Sequence, residues 1–420
     1  MELKRRAAGW ATLVATAPLV LVGGCTSDGL RKVGKPAPPS LVITPNANAK
    51  DVPTSAEIGT KVTGGKITSV SVADDKGGTV QGALRPDGSS WLPDRALKNK
   101  QTYTAKVTAT SDKGKSTTQT TTFTTMAKPE KRITSNLYFE NGRTYGVAMP
   151  VTLAFEPGIP KEARADVQKR LFVHTDPPQP GAWHWIADGT QVYYRAPDFW
   201  RPNTKISVRA ALEGLPVGKG FYGDVDRTAS AKVGNKVTLE IDNATKQMSV
   251  FRDDKLDRKI PVSLGKPSTP TSSGKMVIME KFASTIFDTR GDPNGGYVVQ
   301  VANAQRLTWG GEFIHAAPWS VGDQGYSNVS HGCTNVSDEA ASWLMDITHV
   351  GDLVTVKGTE VKLDPGNGWT AWDMSWDEFV KGSALPVPAD LKPAPSAVPG
   401  SSNPPASGGA PVTAPSNRGG

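Results

Sequence analysis

Only two cysteines occur in the 420 residues, Cys25 and Cys333. The second stands in Ser330-His331-Gly332-Cys333-Thr334-Asn335, a run whose residue types suit a nucleophile. A thiol attacks an amide as the thiolate, and free cysteine is mostly protonated at neutral pH. A nearby imidazole can take that proton and lower the thiol pKa. Both His331 and His315 precede Cys333 closely enough to serve. His331 shares the tight loop of the cysteine, and its ring would need a sharp local bend to face the sulfur. His315 closes the β-like segment Gly311-Glu312-Phe313-Ile314-His315, and a loop rich in Gly, Ser and Asn separates it from Cys333. A strand end facing a loop nucleophile is the commoner arrangement, so His315 is the expected general base and His331 is expected to order the loop. Gly332 permits unusual φ and close approach to a reacting carbonyl. The backbone N–H groups around Gly332 and Cys333 are the expected oxyanion donors. Zinc would draw on His315, His331 and Cys333, but no fourth ligand is suggested and a metal-bound thiolate is quenched as a nucleophile. The site is expected to need neither metal nor organic cofactor.

The start of the chain bears on how such a thiol is kept free. Lys4, Arg5 and Arg6 precede a largely apolar run from Ala7 to Val22, interrupted by Pro18. That run is short for a transmembrane helix and suits a secretory signal. It ends in Val22-Gly23-Gly24-Cys25, which resembles the bacterial lipobox. The resemblance implies a signal peptide over residues 1–24, cleavage before Cys25 and diacylglycerol on its thiol. Residues 25–40 then form a lipid-anchored linker, reaching roughly 50 Å if extended. With Cys25 acylated, Cys333 has no internal disulfide partner in an oxidising compartment. The expected location is the outer face of the cell membrane, with the site working in the cell wall. A net charge of +8 favours anionic partners such as wall polymers or lipid headgroups, although it serves plain solubility equally well. No nucleic-acid-binding signature is present, so that partner is set aside.

The elements that must position the site read as mainly β. Glycine (43) and proline (33) are abundant, helix-forming runs are few and β-branched stretches recur. Period-two alternation over residues 41–127, as in 67–72 and 103–109, predicts a small immunoglobulin-like β-sandwich without an inter-sheet disulfide. Residues 128–233 predict a second such module, with a short helix near 161–171 and packing or surface roles for His174 and His184. From residue 234 to 358 the pattern predicts a β-rich catalytic domain that opens on a hairpin. Its one main helix runs from an N-cap at Ser337 to Ile347, and a closing strand covers 352–357. Residues 359–385 form a Trp-rich C-terminal subdomain. The spacing of Trp369, Trp372, Trp376 and Phe379 predicts a helix docking these rings onto the catalytic domain. Residues 386–420 are Pro-, Ala-, Gly- and Ser-rich and are expected to be disordered.

These residues also carry a family resemblance. Residues 234–358 resemble the L,D-transpeptidase catalytic domain, also called YkuD, whose motif is a histidine, a loop and then Ser/Thr-His-Gly-Cys-x-Asn. Here it reads His315-Ala316-Ala317-Pro318-Trp319-Ser320 and then Ser330 to Asn335. Thr269-Pro270-Thr271-Ser272-Ser273-Gly274 resembles the family's Thr-Pro-x-Gly turn with extra residues. The whole order resembles the large mycobacterial and actinobacterial L,D-transpeptidases. The resemblance implies Cys333 as nucleophile, His315 as base and the backbone carbonyl of Ala316 as the group orienting the imidazole. It matches Tyr297 to a lid tyrosine that helps the oxyanion site, and Ser330, His331 and Asn335 to the substrate-binding loop. The lid between Phe282 and Tyr297 is shorter than in the mycobacterial enzymes, which leaves Phe287 without an assigned role. The implied reaction is peptidoglycan cross-linking. Cys333 attacks the amide after the third residue of a donor tetrapeptide stem, D-alanine leaves, and the side-chain amine of another stem's third residue resolves the thioester into a 3→3 cross-link. Carbapenems are implied as covalent inhibitors. The alternatives are an L,D-carboxypeptidase and a wall-binding lipoprotein with a non-productive site.

Overall fold

The computed structural model describes residues 37–291, 296 and 298–392. Cys25 and the rest of residues 1–36, Tyr297, and residues 393–420 lie outside the described residues, while residues 386–392, expected to be disordered, are described and include a 3-10 turn at Ala389–Leu391 with Leu391 buried. The chain is mainly β. Its first sandwich pairs a four-stranded sheet (Ser40–Thr44, Ile58–Thr63, Ser90–Pro93, Gly82–Leu84) with a five-stranded one built around Thr102–Thr110 and Ser116–Thr125. Alternation explains the threonine-rich sequence. Tyr103, Ala105, Val107 and Ala109 point into the core, while outward threonines pair across the strands, Thr102 with Thr124 and Thr108 with Thr118. The second sandwich consists of two four-stranded sheets between Thr134 and Val233. Its helical segment is shorter than the sequence predicts: a 3-10 turn at Lys161–Ala163 and one α turn at Arg164–Gln168, because Leu171 already begins a buried strand.

The C-terminal half supplies the elements that hold the site. A six-stranded sheet carries β1 (Val237–Asp242), β2 (Gln247–Arg252), β3 (Lys255–Pro261) and β4 (Ser272–Val277). A four-stranded sheet has the order β5 (Glu280–Asp288), β6 (Val298–Arg306), β7 (Phe313–Ala316) and β8 (Thr334–Val336). Helix α1 (Asp338–Ile347) lies where the sequence predicts it. The Ser337 hydroxyl caps it by accepting the Ala340 N–H, Asp338 and Glu339 sit in its first turn, and Ala340, Ala341 and Leu344 are buried. At its other end the Lys281 ammonium donates to the carbonyls of Met345 and Thr348. Strand β9 (Leu353–Lys357) then pairs in parallel with β1, and β10 (Val361–Lys362) edges the sheet beside β4.

The Trp-rich segment docks on the flank of the catalytic domain, as its spacing suggested, but also on the second sandwich, and its helix begins only at Trp376. Trp369, Trp372 and Phe379 join the core of the second sandwich, which also takes in the flank of the catalytic domain, and none of them enters the catalytic domain's own separate core. Helix α2 (Trp376–Lys381) packs on strand Ala182–Trp185, where the His184 ring stacks on Phe379. The reason is Arg195. Its guanidinium is buried, donates to the carbonyls of Ala371 and Met374, and lies 4.3 Å over the Trp372 ring and 4.4 Å over the Phe379 ring. Val277, Met279, Val350 and Leu353 of the catalytic domain join the same core, and the backbone N–H groups of Gly146 and Ala148 donate to Val350 and Gly351. The second sandwich, the catalytic domain's flank and the C-terminal segment therefore share one packed interior. The first sandwich keeps its own. Trp372→Ala is expected to cost about 3–5 kcal/mol. Denaturation should show a lower midpoint for this joint unit, while the transition of the first sandwich stays put.

Candidate active site

Strands β7 and β8 run parallel with His315 opposite Asn335, so these two share one face with Phe313 while Ile314 and Thr334 share the other, and Cys333, just before β8, lines the same cavity as His315 and Asn335. The first face floors a cavity of about 240 Å³ that His315, Ser330, His331, Cys333 and Asn335 all line, together with Trp319. Phe287 and Val299 of the β5–β6 hairpin close it from above. The Phe287 ring stands edge-on to the imidazole of His315, 5.2 Å between centroids. This places Phe287 against the proposed base, a position the sequence left without a role.

His315 is buried, and its Nδ1–H donates to the Ala316 carbonyl at 2.8 Å. The carbonyl can only accept, so Nδ1 carries the proton and Nε2 keeps the lone pair. Burial holds the imidazole below its ordinary pKa, and the bond to Ala316 opposes this only in part. A neutral imidazole is the form able to accept a proton.

Cys333 is 7 % exposed, and its thiol donates to the Gly311 carbonyl at 3.6 Å. Burial pushes the thiol up to about 12 and the Glu312 carboxylate pushes the same way, while the Phe313 N–H opposes them. The lowered thiol pKa expected beside an imidazole is therefore not the resting state. Burial dominates both groups, and the directions of the two shifts favour a neutral thiol and a neutral imidazole.

The loop around the cysteine is held by its own polar groups. The Ser330 hydroxyl donates to the Cys333 carbonyl at 2.6 Å and accepts the Gly332 N–H at 3.2 Å. Gly332 has φ 115°, a region that favours glycine. Its N–H is thus committed to Ser330, and it serves an oxyanion only if that hydroxyl turns away. Asn335 donates from Nδ2 to Ser320 Oγ at 3.1 Å, which fixes its amide at the cavity wall. His331 has its Nε2 2.9 Å from the Lys266 ammonium, which can only donate, so Nε2 accepts.

Thr271 is a brace that sequence reasoning did not single out. Its buried hydroxyl accepts the Gly265 N–H and donates to the Gly332 carbonyl, both at 2.8 Å. Ser330 donates its N–H to Leu264, and its carbonyl accepts from Lys266. A Cβ at Gly265 would stand 2.1 Å from the Thr269 carbonyl, so the close approach requires glycine there. The signal was present in Thr269-Pro270-Thr271, which reads as a turn until the fold lays it beside the nucleophile loop.

Two family comparisons agree with this architecture. Residues 236–356 match the L,D-transpeptidase catalytic domain, and residues 49–216 match a bacterial Ig domain. Among curated proteins, the chain is 31 % identical over 353 residues to L,D-transpeptidase 2 of Mycobacterium tuberculosis (strain CDC 1551 / Oshkosh), covering 82 % of this chain and 85 % of that one. It is 33 % identical over 389 residues to L,D-transpeptidase 5 of Mycobacterium tuberculosis (strain ATCC 25618 / H37Rv), covering 90 % of this chain and 84 % of that one. A solved L,D-transpeptidase from Mycobacterium smegmatis aligns with TM-score 0.42 at 31 % identity, covering 54 % of this chain and 99 % of that one. The chain belongs to the L,D-transpeptidase family.

Two outcomes follow from the geometry. His315 is an effective base only when neutral, that is above its depressed pKa. The acid limb of Cys333 acylation should therefore fall below pH 6.5, the ordinary imidazole value; a pH–rate profile with its acid limb at or above 6.5 would contradict this. Thr271→Val leaves the Gly265 N–H and the Gly332 carbonyl unpaired, at about 1–3 kcal/mol for a lost buried bond. Acylation, followed by mass spectrometry, should slow about tenfold or more, and Thr271→Ser should restore most of it.

Proposed function

We propose that this transpeptidase forms 3→3 cross-links between peptidoglycan stem peptides through a thioester on Cys333. The observation that carries the reading is that Cys333 and His315 line one cavity, with His315 Nδ1 engaged by the Ala316 carbonyl and Nε2 left as the base. Nε2 takes the Sγ proton as sulfur attacks the carbonyl of the donor's third residue. The imidazolium then returns that proton to the nitrogen of D-alanine, whose C–N bond breaks, leaving the acyl group on sulfur. The side-chain amine of an acceptor's third residue attacks the thioester and gives its proton to Nε2. The thiolate leaves and recovers the proton. Each of the two steps starts from the neutral imidazole, passes through the imidazolium, and ends with the neutral imidazole restored.

Around that chemistry the remaining assignments are these. The Cys333 N–H, joined by Gly332 when Ser330 releases it, stabilises the oxyanion. Ser330, His331 and Asn335 shape the donor groove, and Tyr297 assists from the lid. Diacylglycerol on Cys25 anchors the chain to the outer face of the membrane, and the two sandwiches act as a spacer that carries the cleft into the wall. Carbapenems acylate the same thiol. The decisive experiment incubates the purified protein with disaccharide-tetrapeptide and reads the products by mass spectrometry. A cross-linked dimer with release of D-alanine is expected, and Cys333→Ala should abolish it. Tripeptide without dimer would instead establish an L,D-carboxypeptidase, and an unchanged yield in Cys333→Ala would remove the thioester altogether.

A further inference from the structure

Beside the nucleophile loop, at the entry to β7 and outside the cavity lining, lies a carboxyl that the proposed reaction does not use. Glu312 accepts the Ser272 N–H at Oε1, 2.8 Å away, while Oε2 is buried without a hydrogen-bond partner among the described residues. A Cβ built on Gly332 would lie 3.8 Å from Glu312 Cγ, so the side chain packs beside Gly332, the neighbour of Cys333. Glu312 also follows Gly311, whose carbonyl accepts the thiol S–H. One short turn thus carries both the acceptor of the thiol S–H and, beside Gly332, a carboxyl whose own pKa burial raises and which, once ionised, opposes ionisation of the thiol.

We propose that Glu312 is a positioning residue that holds resting Cys333 in its thiol form, with its S–H directed at the Gly311 carbonyl, until substrate occupies the cleft. The proposal rests on Cys333 being the nucleophile. Thiolate, rather than thiol, is the form that oxidants and stray electrophiles attack. An unpaired cysteine that waits for donor stems outside the cytoplasm is therefore protected by a group that disfavours its ionisation. Burial contributes to this, and the carboxyl adds a charge that a neutral side chain at this position would lack.

The other charged or titratable groups around the pair are few. His315 and His331, the latter with Lys266 at Nε2, face it from the cleft and its loop. Arg306 of β6 lies 5.5 Å over the Phe313 ring and is paired with Glu280. Lys275 of β4 stands beyond Ser272, where the Asp373 carboxylate accepts its backbone N–H. Glu312 is the one acid among them placed beside Gly332, the neighbour of Cys333.

The test is the pH dependence of Cys333 alkylation by iodoacetamide, read on the Cys333 peptide by mass spectrometry, with folding checked by thermal denaturation. This readout needs no cross-linking activity, so it succeeds or fails separately from the transpeptidation assay. Glu312→Gln keeps an acceptor for the Ser272 N–H and removes the charge. Its inflection should move down by about one pH unit, with faster alkylation at neutral pH. Glu312→Asp, which draws the carboxyl back by one methylene, should fall between Gln and the unmodified protein. The exposed control Glu339→Gln should stay at the unmodified value. An unmoved inflection in Glu312→Gln overturns the proposal, as does an equal shift in the Glu339 control. Where Gln is not tolerated, an unmoved inflection in Glu312→Asp overturns it.

Discussion

Burying a thiol stabilises its proton, and the cost of removing that proton falls on the imidazole across the cleft. Cys333 sits where desolvation pushes it up to about 12, and the same dryness holds His315 below its ordinary value. The two shifts are compatible with one resting state, thiol facing free base, and with no charge in the cleft. An ion pair becomes favourable only when something else stabilises negative charge at sulfur or at the carbonyl it attacks. Bound substrate supplies that something through its own carbonyl and the amides around the loop. The tightness of the loop then matters for a definite reason. Each bond from Ser330, Thr271 and Asn335 fixes a backbone or side-chain atom that would otherwise have to be ordered during the reaction.

The joint interior of the second sandwich and the catalytic domain extends this rigidity outward. The flank that carries β4 and its Thr271 is anchored through Val277 and Met279 in a core shared with Trp200 and Trp372. Trp372 donates from its indole to the Ala148 carbonyl and Trp200 from its own to Met149, so two large rings are held by hydrogen bonds as well as by packing. Such an interface resists relative motion of the two units far better than a polar contact of equal size. A spacer that bends at this joint would also strain the strand that braces the nucleophile.

What the sequence could reveal depended on whether the information was local. The alternation in residues 103–109 yields a strand with a Thr face and a core face, and Ser337 before an apolar periodic run yields an N-cap, because both effects act within a few residues. That His315 and Cys333 face one cavity was legible because the motif is compact and its chemistry restricts the residue types. Thr271 and Glu312 were not, since each matters only through a segment that the fold brings from far along the chain. Arg195 is a further residue whose role is not local. In a strand it reads as a surface cation, whereas three rings and two carbonyls from beyond residue 370 enclose it. The spacing of the tryptophans correctly implied an apolar face but carried no information about which core would receive it.

The lid shows how little separates a closed cleft from an open one. In the β5–β6 hairpin Phe287 stands opposite Val299 and Ile286 opposite Gln300. The first pair lines the cavity, and Ile286 faces outward with 66 % of its surface exposed. Because side chains alternate, a slip of one residue in either strand would exchange these faces, turning Phe287 away from His315. The register is secured at the hairpin's base, where Glu280 pairs with Arg306 both in the ladder and as an ion pair. Arg306 continues over the Phe313 ring, and Phe313 in turn packs on Phe287 at 4.7 Å between centroids. The dryness that keeps the thiol protonated and the imidazole neutral is thus set by the register of a hairpin whose fixing residues lie outside the motif that names the chemistry.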